Sequence, residues 1–117
     1  MKILIVEDEA LIAMMVEDIL EELGHEVVGT ANGVKRGVDL ANALDIDLAM
    51  LDINLGRETS FPIADVLNQR RIPFFFATGY GLAGLEEPYL GTLTIKKPFG
   101  REDLANAIAQ LTPEGHA

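Results

Sequence analysis

Residues 3–8, Ile-Leu-Ile-Val-Glu-Asp, decide the fold of this chain. Four consecutive apolar residues, three of them β-branched, are typical of a short strand buried on both faces. The spacing of the apolar residues then changes to that of a helix. Residues 10–23 place apolar side chains on one helical face and acidic side chains on the opposite face. A buried strand followed at once by an amphipathic helix is the repeating unit of a parallel sheet.

The same alternation continues along the rest of the sequence. Apolar runs predict further strands at 25–30, 47–52, 72–78 and 93–97, and helical periodicity predicts helices around 34–44, from Ser60 onward and at 101–111. We therefore expect an α/β fold with a doubly wound five-stranded parallel sheet and helices on both faces. Segment 80–91 contains three glycines and a proline, which predicts a short or irregular fourth helix.

Length and charge restrict the function. A chain of 117 residues is expected to form one domain. Its 19 acidic and 9 basic residues give a net charge of −10, which disfavours binding to nucleic acid or to an anionic membrane. The absence of cysteine excludes disulfides and a thiol nucleophile. With no apolar run near the roughly 20 residues of a membrane span, we expect a cytoplasmic protein.

The informative polar residues lie where the predicted strands end, since ligands of open α/β sheets bind beyond the carboxyl ends of the strands. These residues are Glu7, Asp8, Asp52, Thr78 and Lys97. Three neighbouring carboxylates repel one another unless they are protonated or hold a cation, and oxygen ligands favour Mg²⁺, or Mn²⁺, over zinc. A carboxylate beside such an ion, facing a lysine and a threonine, is arranged to attack phosphorus. Because an ordinary aspartate is ionised at neutral pH, we expect Asp52 to need no general base.

Taken singly, these residues also have structural explanations. An acidic pair after a strand commonly caps the next helix, Asp52 and Asn54 are ordinary turn formers, and Lys97 could be a solvated charge. Their joint occurrence at one edge of the sheet favours the functional interpretation.

The residues Glu7-Asp8, Asp52, Thr78 and Lys97-Pro98 together resemble the receiver domain of two-component response regulators. Residues 73–80, Pro-Phe-Phe-Phe-Ala-Thr-Gly-Tyr, resemble a subgroup with a PFxFATGY motif. The resemblance implies a flavodoxin-like sheet of order 2-1-3-4-5. It also implies that residues 1–117 are one receiver (phosphoacceptor) domain with no output domain. Such a domain is a phosphorylation-dependent switch and not an enzyme.

The resemblance further implies a role for each residue. Asp52 accepts a phosphoryl group from a sensor histidine kinase or a histidine phosphotransfer protein. The modification either changes binding to an unknown downstream protein or passes phosphoryl groups along a phosphorelay. The ligands of Mg²⁺ are Glu7, Asp8, Asp52 and the backbone carbonyl of Asn54. Thr78 and Lys97 bind the phosphoryl oxygens. The resemblance also implies a cis peptide before Pro98, whereas for an X–Pro bond in general trans predominates.

One position departs from the family pattern. Most receivers carry an aromatic residue three positions before the lysine of the Lys-Pro pair, where this chain has Thr94. We therefore take Thr78, Tyr80 and Thr94 as switch candidates. Our hypothesis is that Tyr80 supplies the missing aromatic and that segment 80–91 becomes ordered on phosphorylation. On the first helix, we expect Met14 and Met15 to fill the core, with partner docking as the alternative.

Three other functions are consistent with parts of the sequence. A Mg²⁺-dependent aspartyl-phosphate phosphatase or phosphotransferase acting on a small substrate usually has its nucleophile after the first strand and a second Asp two residues on, where this chain has Ala10. A flavin-binding module needs a Ser/Thr/Gly phosphate loop, but the sequence there is Glu7-Asp8-Glu9. A degenerate receiver that cannot accept phosphate is disfavoured, because all five characteristic side chains are present.

Overall fold

The computed structural model describes residues 1–79, 85 and 88–112. Its strands are β1 (Lys2–Val6), β2 (Glu26–Ala31), β3 (Leu48–Asp52), β4 (Asn54–Leu55), β5 (Glu58–Thr59), β6 (Phe74–Thr78) and β7 (Thr94–Lys96). Its helices are α1 (Ala10–Glu22), α2 (Val34–Ala43), α3 (Phe61–Gln69) and α4 (Arg101–Leu111). The predicted α/β alternation is confirmed. Most of the segment expected to be irregular, 80–91, lies outside the described residues.

Five strands form the main sheet in the order β2-β1-β3-β6-β7, and every neighbouring pair is parallel. Counted in chain order within this sheet, that is the predicted order 2-1-3-4-5. The chain leaves β1 toward one edge to form β2 and then crosses back to β3. The strand order therefore reverses at β1, and in such sheets a crevice opens at the carboxyl end of the strands where the order reverses.

The sheet is covered on both faces because its strand residues alternate in direction. On one face, Ile3 and Ile5 pack with buried residues of α1 and α4, among them Val16 and Leu104. On the opposite face, Leu4, Val6 and the other strand residues that point to that side pack with buried residues of α2 and α3. The consecutive phenylalanines of β6 divide between the faces, since Phe75 belongs to the first layer and Phe74 and Phe76 to the second.

Helices α2 and α3 are in close contact through a glycine. A Cβ atom at Gly37 would lie 2.2 Å from the Cδ1 atom of Ile63, so only glycine fits this position without displacing the isoleucine. At the end of α2, the guanidinium of Arg70 donates hydrogen bonds to the carbonyls of Ala41 and Leu44 at 2.5 and 2.8 Å. These carbonyls belong to the last turn of the helix and its C-cap, where a cation also interacts favourably with the helix dipole.

An aromatic cluster joins α3 to the loop before β7. The ring of Tyr89 stacks on Phe61 with centroids 5.1 Å apart and makes edge contacts with Phe74 and Phe76. Tyr89 is 4% exposed, and its hydroxyl donates a hydrogen bond to the carboxylate of Asp65. Burial, together with this bond, raises the pKa of Tyr89 to about 12. The loop is therefore fixed to α3 at Tyr89.

The structure differs from the sequence-based expectations at two places. Strands β4 and β5 pair as an antiparallel hairpin directly after β3, and this hairpin was not predicted. The expectation that Met14 and Met15 fill the core is wrong, because they are 61% and 42% exposed on α1, beside the exposed Leu11. The Lys97–Pro98 peptide is cis, as the family resemblance implied. Within the described ranges, the helices are all too short or too polar to cross a membrane.

Candidate functional site

The site lies at the carboxyl ends of β1 and β3, two neighbouring strands in the interior of the sheet. In their parallel register Val6 is level with Leu51, so the next residues, Glu7 and Asp52, stand side by side. Glu7 is 2% exposed and Asp52 is 6% exposed, whereas Asp8 points to the surface. The chain then continues into α1 on one face of the sheet and toward α3 on the other, which leaves a crevice between the two loops.

Three carboxylates meet in this crevice. One oxygen atom from each of Glu7, Asp8 and Asp52 lies within 4.8 Å of the other two. The Glu7 Oε1 atom accepts a hydrogen bond of 3.1 Å from the Glu9 amide, while the buried Oε2 atom lies 2.9 Å from the Lys97 ammonium. Three carboxylates for one ammonium leave an excess of negative charge, and a set of ligands made only of oxygen fits a hard divalent cation such as Mg²⁺.

Lys97 supplies the positive charge of the site. Its Nζ atom lies 2.9 Å from Glu7 Oε2 and 3.1 Å from Asp52 Oδ2, and its side chain is only 16% exposed. The Lys97 amide donates to the Thr78 carbonyl at 2.8 Å, which fixes the backbone beside β6. Burial alone would lower the pKa of Lys97, but the two carboxylates together outweigh it and raise that pKa above its ordinary value. Lys97 is therefore a charged side chain held between two acids.

The protonation of Asp52 differs from the expectation of an ordinary aspartate. Burial, reinforced by the negative charge of Glu7, raises the pKa of Asp52 from 3.8 to about 7, although Lys97 acts in the opposite direction. In the protein without a bound cation, Asp52 is thus partly protonated at neutral pH. A divalent cation among the carboxylates favours the ionised form, because opposite charge lowers the pKa of an acid.

A cavity of about 220 Å³ opens above these residues. Its lining comes from four parts of the chain: Asp8 and Glu9 after β1, Asp52, Asn54 and Gly56 at the end of β3 and in the hairpin that follows, Gly79 after β6, and Lys97 after β7. A larger groove, of about 740 Å³, lies at the opposite edge of the sheet among residues such as Met1, Asp47 and Pro73. It contains none of the predicted site residues, so the smaller cavity is the better candidate.

The remaining predicted residues take different places. Thr78 ends β6 one residue beyond Ala77, the register partner of Asp52, and it is buried. Thr94 begins β7 beside Phe76, and its hydroxyl donates to the Thr92 carbonyl at 3.1 Å. The structure does not bring Thr94 into the cavity. Tyr80 lies outside the described residues, so its proposed switch role stays a prediction.

Sequence reasoning did not assign three residues that line the cavity, Glu9, Gly56 and Gly79. The Gly56 amide donates a hydrogen bond of 3.1 Å to Asp8 Oδ2 across 48 residues of sequence. The pair Gly56-Arg57 between the segments Asn54-Leu55 and Glu58-Thr59 carries a signal for a two-residue hairpin loop of type II′, in which glycine takes the first position. That signal could have placed the hairpin, but not its contact with Asp8.

Comparison with known protein families and structures gives a consistent result. The family described as "Response regulator receiver domain" matches residues 3–109. Among curated proteins, the transcriptional regulatory protein PdtaR of Mycobacterium tuberculosis is 34% identical over 111 residues, covering 92% of this chain and 54% of that protein. The cell cycle response regulator CtrA of Brucella ovis is 27% identical, over 100% of this chain and 53% of that protein. The chain thus spans about half the length of these relatives.

Among solved structures, the solution structure of SdrG from Sphingomonas melonis Fr1 is similar over 94% of both chains, with 44% sequence identity and a TM-score of 0.84. The PhyR response regulator REC domain of Erythrobacter litoralis is similar over 94% of this chain and 88% of that chain, with 31% identity and a TM-score of 0.79. The backbone arrangement and the sequence therefore lead to the same group of proteins.

Proposed function

We propose, from the premise that this chain belongs to the response regulator receiver family, that it is a phosphorylation-dependent signalling switch whose phosphoacceptor is Asp52. Receiver domains are regulatory domains of two-component signalling and not catalytic enzymes. They interact with histidine kinases or phosphotransfer proteins. The observation that carries the proposal is the position of the Lys97 ammonium, within 3.1 Å of both the Glu7 and Asp52 carboxylates.

The proposed chemistry starts at Asp52. In its ionised form, one carboxylate oxygen attacks the phosphorus of a phosphohistidine, the P–N bond breaks, and the imidazole nitrogen keeps the electron pair and takes a proton from solvent. Catalysis of such a transfer consists mainly of positioning and charge stabilisation. Lys97, already 3.1 Å from Asp52 Oδ2, is close enough to move its ammonium onto a phosphoryl oxygen once the aspartate is modified. We assign the Thr78 hydroxyl the same role.

The divalent ion would be held by oxygen ligands around the cavity, and receiver domains generally use Mg²⁺. We assign this role to Glu7, Asp8, Asp52 and the backbone carbonyl of Asn54. When bound, the ion supplies positive charge that stabilises both the ionised aspartate and the transferring phosphoryl group. The protein's own part is to hold the ligands in place, to keep Glu7 and Asp52 mostly out of water, and to balance their charge with Lys97.

Helix α1 is the surface that we assign to the phosphodonor. It begins two residues after Asp8, and Leu11, Met14 and Met15 expose apolar side chains on it. Exposed methionines adapt to the shape of a partner. Replacing Met14 with Ser should slow phosphotransfer from a histidine phosphotransfer protein while leaving labelling by a small phosphodonor unchanged. An equal loss with both donors would contradict this assignment.

The proposal is tested by incubating the protein with Mg²⁺ and acetyl phosphate and measuring its intact mass. We expect one added phosphoryl group in the unaltered protein and in Asp39→Asn, an exposed aspartate on α2. We expect none in Asp52→Asn or when the divalent ions are chelated. Labelling that persists in Asp52→Asn would refute Asp52 as the acceptor. Continuous turnover of small phosphoesters with little labelled protein would instead indicate a phosphatase.

A further inference from the structure

The hairpin formed by β4 and β5 stands directly beside the carboxylate cluster. Its two strands pair Asn54 with Thr59 and Leu55 with Glu58, so Gly56 and Arg57 form a two-residue loop. The base of the hairpin is firmly attached to the sheet, because the Ile53 amide donates to the Ala77 carbonyl at 3.0 Å. Ile53 is also fully buried. Gly56 therefore lines the cavity from a hairpin with a fixed base.

The tip of this hairpin contacts Asp8. The Gly56 amide donates to the Asp8 Oδ2 atom at 3.1 Å. Asp8 is an exposed side chain on the loop after β1, so this hydrogen bond restricts a carboxylate that would otherwise rotate in solvent. It occupies one oxygen atom of Asp8 and leaves lone pairs of the carboxylate for a cation.

The backbone at Gly56 explains how the amide comes to point at Asp8. Its φ angle is +66°, in the left-handed region that glycine adopts without strain. A Cβ atom at this position would meet nothing within 4 Å, so space does not require the glycine. The requirement is the turn itself, and the turn directs the amide toward the carboxylate.

We propose that the Gly56 amide is a positioning group for the divalent ion, and that the β4–β5 hairpin is the clamp that holds Asp8 ready to bind it. This inference rests on the metal site of the proposed function. Mg²⁺ demands a near-ideal octahedral arrangement, so a freely rotating ligand lowers its affinity. Groups that hydrogen-bond to metal ligands are known to matter, and their loss typically weakens metal binding about 10–100-fold.

The proposal has a reciprocal consequence. If the Gly56–Asp8 hydrogen bond strengthens Mg²⁺ binding by some factor, then bound Mg²⁺ must stabilise that hydrogen bond by the same factor. Amide exchange at Gly56 in the unaltered protein should therefore slow when Mg²⁺ is added. This measurement requires no variant, so it tests the proposal even where a substitution fails to fold.

Three variants separate the clamp from general stability. Gly56→Pro removes the amide hydrogen and the positive φ. Gly56→Asn keeps the amide hydrogen and tolerates a positive φ. Gly24→Pro makes the same change as Gly56→Pro at a remote position, since Gly24 has a φ of +91° and its amide donates to the Glu21 carbonyl at 3.0 Å after α1.

Mg²⁺ affinity is measured by titration of the folded protein with amide chemical shifts as the readout. We expect Gly56→Pro to weaken the affinity about tenfold, and Gly56→Asn and Gly24→Pro to remain within about twofold of the unaltered protein. The clamp is overturned if Gly56→Pro binds Mg²⁺ as tightly as the unaltered protein, or if Gly24→Pro loses as much Mg²⁺ affinity as Gly56→Pro. It is also overturned if amide exchange at Gly56 does not change when Mg²⁺ is added. If the unaltered protein shows no saturable Mg²⁺ shift, the metal site of the proposed function fails as well.

Discussion

Lys97 and Asp52 form an ion pair with 3.1 Å between Nζ and Oδ2, although 45 residues separate them in sequence. The same ammonium lies 2.9 Å from the buried Glu7 carboxylate. One cation thus balances two acids in a place from which most water is excluded. The stability of the protein without a divalent ion therefore depends on this lysine.

Replacing Lys97 with Met should destabilise the protein without Mg²⁺ by about 3 kcal/mol, because it removes the positive charge that balances the buried Glu7 and the ionised fraction of Asp52. Chemical denaturation at neutral pH measures this change. The loss should shrink when Mg²⁺ is added, since the ion supplies the missing charge, and it should also shrink in acid, where the carboxylates are protonated.

The matched control is Lys2→Met. Lys2 also pairs with an aspartate, Asp45, at 3.0 Å, but the two side chains are 44% and 81% exposed. Exposed pairs contribute little because solvent screens them, so we expect a much smaller change than at Lys97. Equal losses at the two lysines would mean that burial does not decide the effect.

The stability of the metal-free protein should depend on pH through Asp52. Its pKa is raised from 3.8 to about 7, so the folded protein binds this proton more tightly than the unfolded chain does. The resulting stabilisation is fully present below the unfolded pKa and is lost as the pH rises through about 7. Asp52→Asn, which stays neutral, should therefore be more stable than the unaltered protein at pH 8 by about 2–4 kcal/mol.

The free energy of unfolding of both proteins is measured from pH 4 to pH 8 in the presence of a chelator. The difference between them should be small at pH 4 and grow toward pH 8, and Mg²⁺ should reduce it by stabilising the ionised aspartate. A difference that does not change with pH would show that the Asp52 pKa is ordinary in the folded protein.

Gly37→Ala should destabilise the contact between α2 and α3. Alanine is the better helix former by about 1 kcal/mol, but its Cβ would lie 2.2 Å from Ile63 Cδ1 in a closely packed layer. Overpacking of this kind costs about 1–3 kcal/mol, so we expect a net loss measured by thermal or chemical unfolding.

Shortening the isoleucine provides the check on this prediction. Ile63→Val removes the Cδ1 atom, so the double variant should recover much of the stability lost in Gly37→Ala. Gly91→Ala is the control substitution, because a Cβ there meets nothing within 4 Å. The steric explanation is wrong if the double variant loses more unfolding free energy than the two single variants lose together.

Tyr89→Phe should cost about 1 kcal/mol of stability, because it removes the hydrogen bond to Asp65 but keeps the ring stacked on Phe61. Tyr89→Ala should cost about 3–4 kcal/mol, because it also empties the space of the ring. A double-mutant cycle with Asp65→Ala isolates the hydrogen bond. A cycle without coupling energy would show that the hydroxyl contributes nothing through Asp65.

The sheet and its helices were predictable because their residues repeat with a clear period. Ile3 to Val6 form an uninterrupted apolar run, and the acidic and apolar faces of α1 alternate over several turns. Strands β4 and β5 have two residues each, which is too short for any period to be visible. The prediction that Met14 and Met15 are buried was wrong because these residues flank the apolar stripe of α1. Helical spacing alone does not show how much of the helix surface the sheet covers.

The sequence predicted which residues form the site better than it predicted their protonation and their hydrogen bonds. Strand order brings Glu7, Asp8, Asp52 and Lys97 to one edge of a parallel sheet, and the sequence marks each of those strand ends. The raised pKa of Asp52 was not predictable, because it arises from burial and from the charge of Glu7 in three dimensions. The hydrogen bond from Gly56 to Asp8 depends on a backbone angle, and residue types alone do not specify it.

The 2.9 Å contact between Glu7 and Lys97 joins the first and the last strands of the main sheet along the chain. During synthesis the ribosome makes Glu7 early and Lys97 only after 89 further residues have been added, so a nascent chain carries Asp52 long before the lysine reaches it. The counter-charge of the buried Glu7 carboxylate is therefore supplied only by a chain that has been synthesised and folded through β7.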